Sequence, residues 1–254
     1  MKKRLVYLIL LFAITAVAVM YGISKRGHLA LSTDGGFAFS FIGKGDTEVS
    51  ERTDSFSNLQ IELSQDDIEI ESGKNFGWTY RGPKASVPTA HVDSDTLVVG
   101  RSSGEKKASS GGTLTVTIPA GHWELRQVSL STENGDIAID PDKKASAESI
   151  EMTSSNGDIT LSDLTGTSIG VFTGNGDIDL EDASADAFDL QTDNGDITLN
   201  LADSLDHYTI TPSTTMGDIT VGEDTLSSDK KISIGDGKKT IKAVTGMGDI
   251  NIDD

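Results

Sequence analysis

None of the chain's 254 residues is cysteine. Without thiols there is no disulfide framework, no Cys-ligated zinc, no thiol nucleophile and no lipid attached through sulfur. Proline is scarce as well, 5 residues against 27 glycines without a collagen period, so Pro-rich and collagen-like classes are excluded. Bases are few: 21 Lys and Arg face 40 Asp and Glu, a net charge of −19. A surface built to hold phosphates is therefore not expected, and nucleic acid is not an expected partner. Aromatic residues make up only 6%, yet 36% of the chain is hydrophobic, enough to bury a core.

The charge is unevenly placed. Residues 1–144 hold 16 bases and 18 acids, residues 145–229 hold no base and 18 acids, and residues 230–254 hold 5 bases and 4 acids. One block of the chain therefore carries almost the whole imbalance. Any account of function must include it.

At the N-terminus, Lys2-Lys3-Arg4 precedes 19 uncharged residues, Leu5 to Ile23, and Lys25-Arg26 follows. At 1.5 Å per residue such a helix is about 28 Å long, close to the ~30 Å of a bilayer core. More bases precede the run than follow it, which favours a cytoplasmic N-terminus and an extracytoplasmic remainder. A cleaved signal peptide stays open as well, because Ala16-Val17-Ala18 supplies an A-x-A site. The expected layout is a cytoplasmic tip (1–4), a transmembrane anchor or signal peptide (5–23) and a linker with some strand around Phe37–Phe41 (24–56). An ectodomain follows (57–254), with regular repeats over 125–254.

Those repeats are the strongest signal. Asn-Gly-Asp-Ile begins at Asn134, Asn156, Asn175 and Asn194, and Met-Gly-Asp-Ile at Met216 and Met247. Six positions before each Asn or Met stand Val128, Ile150, Ile169, Phe188, Ile210 and Ile241. Two before stand Thr132, Ser154, Thr173, Thr192, Thr214 and Thr245. Five after stand Ile139, Leu161, Leu180, Leu199, Val221 and Ile252. Alternation with period two makes each unit strand, corner, strand.

Apolar residues lie at even offsets before the corner and at odd offsets after it. An unbroken strand cannot move its inward face by one residue, because successive side chains point to opposite sides. One residue per unit must leave β geometry, and Gly stands there in every unit. The same parity places the Asn or Met inward and the following Asp outward. The expected fold is all-β: a solenoid of stacked parallel coils, about 20 residues each, each strand pairing with its counterpart one coil away. An antiparallel meander turning at Asn-Gly is the alternative. Looser units lie upstream, with Leu59, Ile61 and Leu63 leading through Gln65-Asp66-Asp67 to Ile68 and Ile70, and with the alternating strand Leu114 to Ile118 before Pro119.

The strand Leu114–Pro119, the run Val128-Ser129-Leu130-Ser131-Thr132 and the repeated Asn-Gly-Asp-Ile together resemble a bacterial adhesin-type domain of unknown function, over roughly residues 57–254. With its single N-terminal span, the chain is similar to the membrane-anchored LiaG-like members associated with cell-envelope stress. That resemblance implies surface location and a non-enzymatic accessory or sensing role, with adhesion or scaffolding as the alternative. It implies no catalytic residue.

The column Asp136, Asp158, Asp177, Asp196, Asp218 and Asp249 is the candidate metal set, because calcium takes six to eight oxygens. No second acid holds a fixed offset from it, so capping of corner amides is the expected role, and no cofactor is expected. Unit charges stacked ~5 Å apart repel by about 0.8 kcal/mol in water and about 3 kcal/mol at an effective dielectric of 20, so the column must be well solvated or neutralised. A glycan-processing enzyme would need two carboxylates set apart from the rest. Here every repeat Asp belongs to a column or an outward face. His28, His91, His122 and His207 show no metal-ligand spacing. Phe76, Trp78, Tyr80 and Trp123 are expected to cap the N-terminal end by packing. The partners expected are the membrane, through the N-terminal helix, and a cationic peptide or basic protein surface on the acidic face.

Overall fold

The computed structural model describes residues 27–31, 39–43, 46–101, 111–226 and 237–254. The segment read as a membrane anchor lies outside them. Among the described residues, no helix is long and apolar enough to cross a membrane.

The fold is all-β, a two-faced, solenoid-like stack whose coils each bend once at a corner. In chain order the strands before and after each corner are Asn58–Glu62 with Asp67–Gly73 (coil 1), Thr96–Gly100 with Thr113–Pro119 (coil 2) and Glu124–Asn134 with Ile137–Asp140 (coil 3). Coil 4 is Ala145–Asn156 with Ile159–Ser162. Coil 5 begins with Leu164–Asn175 and ends in the long strand Ile178–Asn194. The later part of that strand opens coil 6, which closes with Ile197–Leu201. Coil 7 is Tyr208–Met216 with Ile219–Val221, and coil 8 is Lys239–Met247 with Ile250–Asp253.

Pairing between coils is parallel and in register on both faces, as period-two columns require. Val128, Ile150, Ile169 and Phe188 pair in turn on the first face. Ile137, Ile159, Ile178 and Ile197 do so on the second. The loose upstream units belong to the same columns, since Leu59 pairs with Val128 and Ile68 with Ile137. Inward residues of both faces form one core, in which Ile68, Ile137, Ile159, Ile169, Leu180 and Ile197 are fully buried.

Spatial order differs from chain order. Coil 2 lies outside coil 1, because Leu97 pairs with Leu59 and Leu114 with Ile68. At the other end, coil 8 is inserted between coils 6 and 7. Phe188 pairs with Ile241, and Ile241 with Ile210. The stack therefore runs 2-1-3-4-5-6-8-7. The expectation that each repeat stacks on its neighbour in sequence holds from coil 3 to coil 6 and fails at two steps, because coil 3 stacks on coil 1 rather than coil 2 and coil 6 on coil 8 rather than coil 7. A physical reason is charge. Coils 6 and 7 contain no Lys or Arg, whereas coil 8 carries Lys239 and Lys242. Insertion sets Lys242 Nζ 2.9 Å from Asp189 and Lys239 Nζ 2.5 Å from Asp203.

Strand edges invite pairing with other chains, and among the described residues antiparallel strands cover three of the four outermost. Thr89–Asp93 covers the first face of coil 2, and Gly77–Pro83, itself paired with Asp46–Arg52, covers the second. Asp224–Leu226 covers the second face of coil 7. The segment read as a linker thus supplies the outermost strand at one end, and Gly27–Leu31 pairs with Phe39–Gly43. Trp78 and Tyr80, on the strand Gly77–Pro83 itself, are buried, and Trp123 is buried with its Nε1–H donated to Ser72 Oγ at 3.1 Å. Trp78 and Tyr80 thus pack the end of the stack, as expected, whereas Trp123 packs beside coils 1, 3 and 4 within it.

Candidate functional site

The corner column is where the repeated polar residues gather. Five of its six glycines are required twice over. Gly157, Gly176, Gly195, Gly217 and Gly248 have φ between 148° and 155°, which L side chains rarely adopt. A Cβ on Gly176 would also lie 2.1 Å from the Gly157 carbonyl oxygen of the coil beneath. Corner backbones are packed against one another, and only hydrogen fits between them.

Three hydrogen-bond ladders hold the corners together. Each Asp carboxylate accepts from the Asp amide of the next coil. Asp158 N donates to Asp136 Oδ1 at 2.9 Å, Asp177 N to Asp158 Oδ1 at 2.8 Å and Asp196 N to Asp177 Oδ1 at 2.8 Å. The series continues through Asp249 to Asp218, following the spatial order. In coil 1, Asp67 takes the column's place and accepts from Asp136 N at 3.0 Å. The buried Thr and Ser hydroxyls form the second ladder. They do not bond one another; each donates to a corner carbonyl, as Thr173 does to Gly157 O at 2.9 Å and Thr192 to Gly176 O at 3.0 Å. Asn side chains form the third, Asn156 Nδ2 to Asn134 Oδ1, Asn175 to Asn156 and Asn194 to Asn175, each 2.9 Å.

One expectation is overturned at this point. Asn and Met were placed inward, but Asn134, Asn156 and Asn175 are exposed, and Met216 and Met247 are 58% and 49% exposed. The last inward residue is the Thr or Ser two positions earlier. Beyond it the strand runs past the edge of the core, so parity still holds but there is nothing left to face.

The six Asp stand in one exposed line, and all but Asp218 at its end are engaged through Oδ1 with an amide. Among the described residues no group of three or more His, Asp or Glu is placed to hold a metal ion. Folding is therefore expected to be independent of calcium. Far-UV circular dichroism should superimpose with chelator or millimolar calcium, and the melting midpoint should move by no more than a few degrees. Collapse in chelator would instead make these Asp ligands.

Sequence reasoning missed a buried ion pair. Asp66 occupies the glycine place in the degenerate corner of coil 1 and is fully buried. It accepts from Arg101 Nη2 at 2.6 Å, from Tyr80 Oη at 3.1 Å and from Gly112 N at 2.9 Å. Burial and then the Asp66 charge push the Tyr80 hydroxyl up to about 12. The available signal was the missing glycine itself: a carboxylate at a buried corner demands a cation. The cluster clasps coil 2 onto coil 1. At the far end, Asp203 is held below the usual carboxylate range by the Lys239 hydrogen bond and then by Ser184. Lys239 is raised, chiefly by its bond to Asp203. Both clusters fasten out-of-order coils.

The profile of the Toastrack DUF4097 family matches residues 35–253. The chain belongs to this family. No curated protein matches it in sequence. Similar solved structures include a candidate adhesin from Bacteroides fragilis, 16% identical, covering 83% of this chain and 97% of its own, with a TM-score of 0.44. A candidate cell adhesion protein from Clostridium sporogenes is 11% identical over 82% and 98% of the two chains, with a TM-score of 0.48. A candidate lipid binding protein from Parabacteroides distasonis is 12% identical over 81% and 96%, with a TM-score of 0.37. Within the Toastrack architecture, the corner ladders and the two clasps engage the repeated Asp, Asn and Thr or Ser residues and the buried charges in holding coils together. What remains for function is the outer surface.

Proposed function

We propose that this Toastrack protein is a non-enzymatic binding module outside the cytoplasmic membrane, tethered by residues 5–23, whose acidic outer faces take a cationic partner. One observation carries this reading. Residues 145–229 have 18 acids and no base, and the coil inserted among them brings Lys239 and Lys242, which are engaged with Asp203 and Asp189. A rigid surface of one sign draws in oppositely charged partners and repels anionic polymers and headgroups. The LiaG-like resemblance gives the module an accessory or sensing role in envelope stress.

The test is binding of fluorescein-labelled deca-lysine, followed by anisotropy. The protein is expected to bind at 50 mM salt, with affinity falling steeply by 300 mM as screening shortens the Debye length, and to ignore deca-glutamate. Absence of deca-lysine binding at low salt would contradict the reading. For the tether, protease added to intact wall-stripped cells should digest residues 27–254, and protection of that region would contradict the topology.

A further inference from the structure

One large aromatic side chain points outward from the middle of the first face. On strand Leu164–Asn175 the inward residues are Ile169, Val171 and Thr173, so Phe172 lies on the outer side, only partly buried. Its neighbours on either side along that strand are glycines, Gly170 and Gly174. A Cβ built on Gly170 would lie 3.3 Å from Phe172 Cε2, so the ring leans back over a position with no side chain. Gly170-Phe172-Gly174 thus forms the floor of a shallow trough along coil 5.

Flanking coils supply its walls. Gly170 pairs with Glu151 on one side and Asp189 on the other, and Phe172 with Thr153 and Gln191. Exposed Asp193 follows Thr192 in the next coil, level with Gly174. An aromatic floor between carboxylates matches one ligand chemistry best. A basic side chain can set its cation over the ring while carboxylates take its N–H donors. The chain already seats one ammonium group on this face: Lys242 Nζ lies 2.9 Å from Asp189 Oδ1, whose other contact is Gln191 Nε2 at 2.8 Å.

We propose that the trough over Phe172 is the docking site for a basic, extended polypeptide segment, one Lys or Arg of which stacks on the ring between Glu151 and Asp193. This rests on the reading of the acidic face and names where on it the partner sits. The open floor along the strand admits a chain running parallel to coil 5, while an anionic polymer would meet carboxylates on both sides.

The experiment titrates labelled deca-lysine and deca-arginine into the purified full chain and its variants at low salt. Phe172→Ala and Phe172→Leu should each weaken binding by about three- to fivefold, and Phe172→Trp should keep or tighten it. Glu151→Gln with Asp193→Asn should weaken it at least fivefold. The charge-matched pair Asp179→Asn with Glu181→Gln, on the outer side of the second face, should change it less than twofold. Circular dichroism should show every variant folded, because each altered side chain points outward. Equal loss from both charge-matched pairs, or unchanged binding by Phe172→Ala, would overturn the trough and leave only diffuse attraction to the acidic face. No binding by the unaltered protein would overturn the acidic-face reading itself. Ring-dependent binding of cellotetraose or chitotetraose, with the peptides unbound, would make this a sugar subsite and overturn the basic-peptide proposal.

Discussion

Deleting residues 237–254 is expected to unfold more of the chain than the deleted coil. In sequence order coil 8 is last, and its loss would merely shorten a stack whose coils touch only their neighbours. In space it is the only described neighbour of coil 7 on the first face, pairing with Tyr208–Met216 along the whole strand. Removing it takes away Ile241, Ala243, Ile250 and Ile252, all nearly inaccessible to solvent. Each of the three isoleucines contributes about 1.5–3 kcal/mol by burial, so the loss rivals the 5–15 kcal/mol that holds an ordinary domain together. It also leaves Asp189 and Asp203 facing coils that contain no base. Hydrogen exchange should show amides 208–221 losing protection in the truncated chain while those of coils 3 to 5 keep theirs. Retained protection over 208–221 would mean that coil 7 stacks directly on coil 6 without the insert.

Replacing Gly176 by Val should destabilise the fold by about 2–4 kcal/mol, whereas Asp179→Val, three residues on, should cost under about 1 kcal/mol. At Gly176 the new side chain meets two obstacles together. Its φ of 153° disfavours a β-branched residue. Its Cβ would also lie 2.1 Å from Gly157 O and 3.0 Å from Asp158 Oδ1, so the corner ladder of coils 4 and 5 must part. Asp179 lies on the same strand between inward Ile178 and Leu180, is exposed, and adds to local negative charge. A β-branched residue there suits the strand and removes some repulsion. Chemical denaturation compares the two. If both variants unfold at the same denaturant concentration, the corner is not the constraint described here.

The corner was legible because a one-residue change in side-chain parity has no solution inside a strand, and only one residue type stood at every such point. Coil 1 was legible for the same reason, although Asp66 replaces its glycine. Parity alone overreached at Asn134, Asn156 and Asn175, because it tells which side a residue faces but not where the core ends. Met216 and Met247 compounded this, since an apolar residue in a column is naturally read as inward. The order of the coils was not legible in the columns. Ile210 and Ile241 are interchangeable against Phe188, so apolar pattern says nothing about which sits nearer. What separates them is polar: Lys239 and Lys242 against an acid-only block, and Arg101 against the buried Asp66, 35 residues away. Those contacts join positions whose partners cannot be paired from spacing. Phe172 was passed over because a lone outward aromatic means little until its flanking glycines are seen on one surface.

The spatial order 2-1-3-4-5-6-8-7 is the central claim, and the absence of cysteine makes it directly testable. Gln191 on coil 6 pairs with Val244 on coil 8, and Val244 with Ser213 on coil 7. Parallel neighbours stand about 4.8 Å apart, within the range a disulfide spans, whereas positions two coils apart are separated by about 10 Å. The measurement is oxidation of two double variants, followed by mass spectrometry of linked peptides. Gln191→Cys with Val244→Cys is expected to cross-link within one molecule, and Gln191→Cys with Ser213→Cys to stay reduced. Cross-linking of the second pair and not the first would return coil 7 to its place in sequence and contradict the inserted coil.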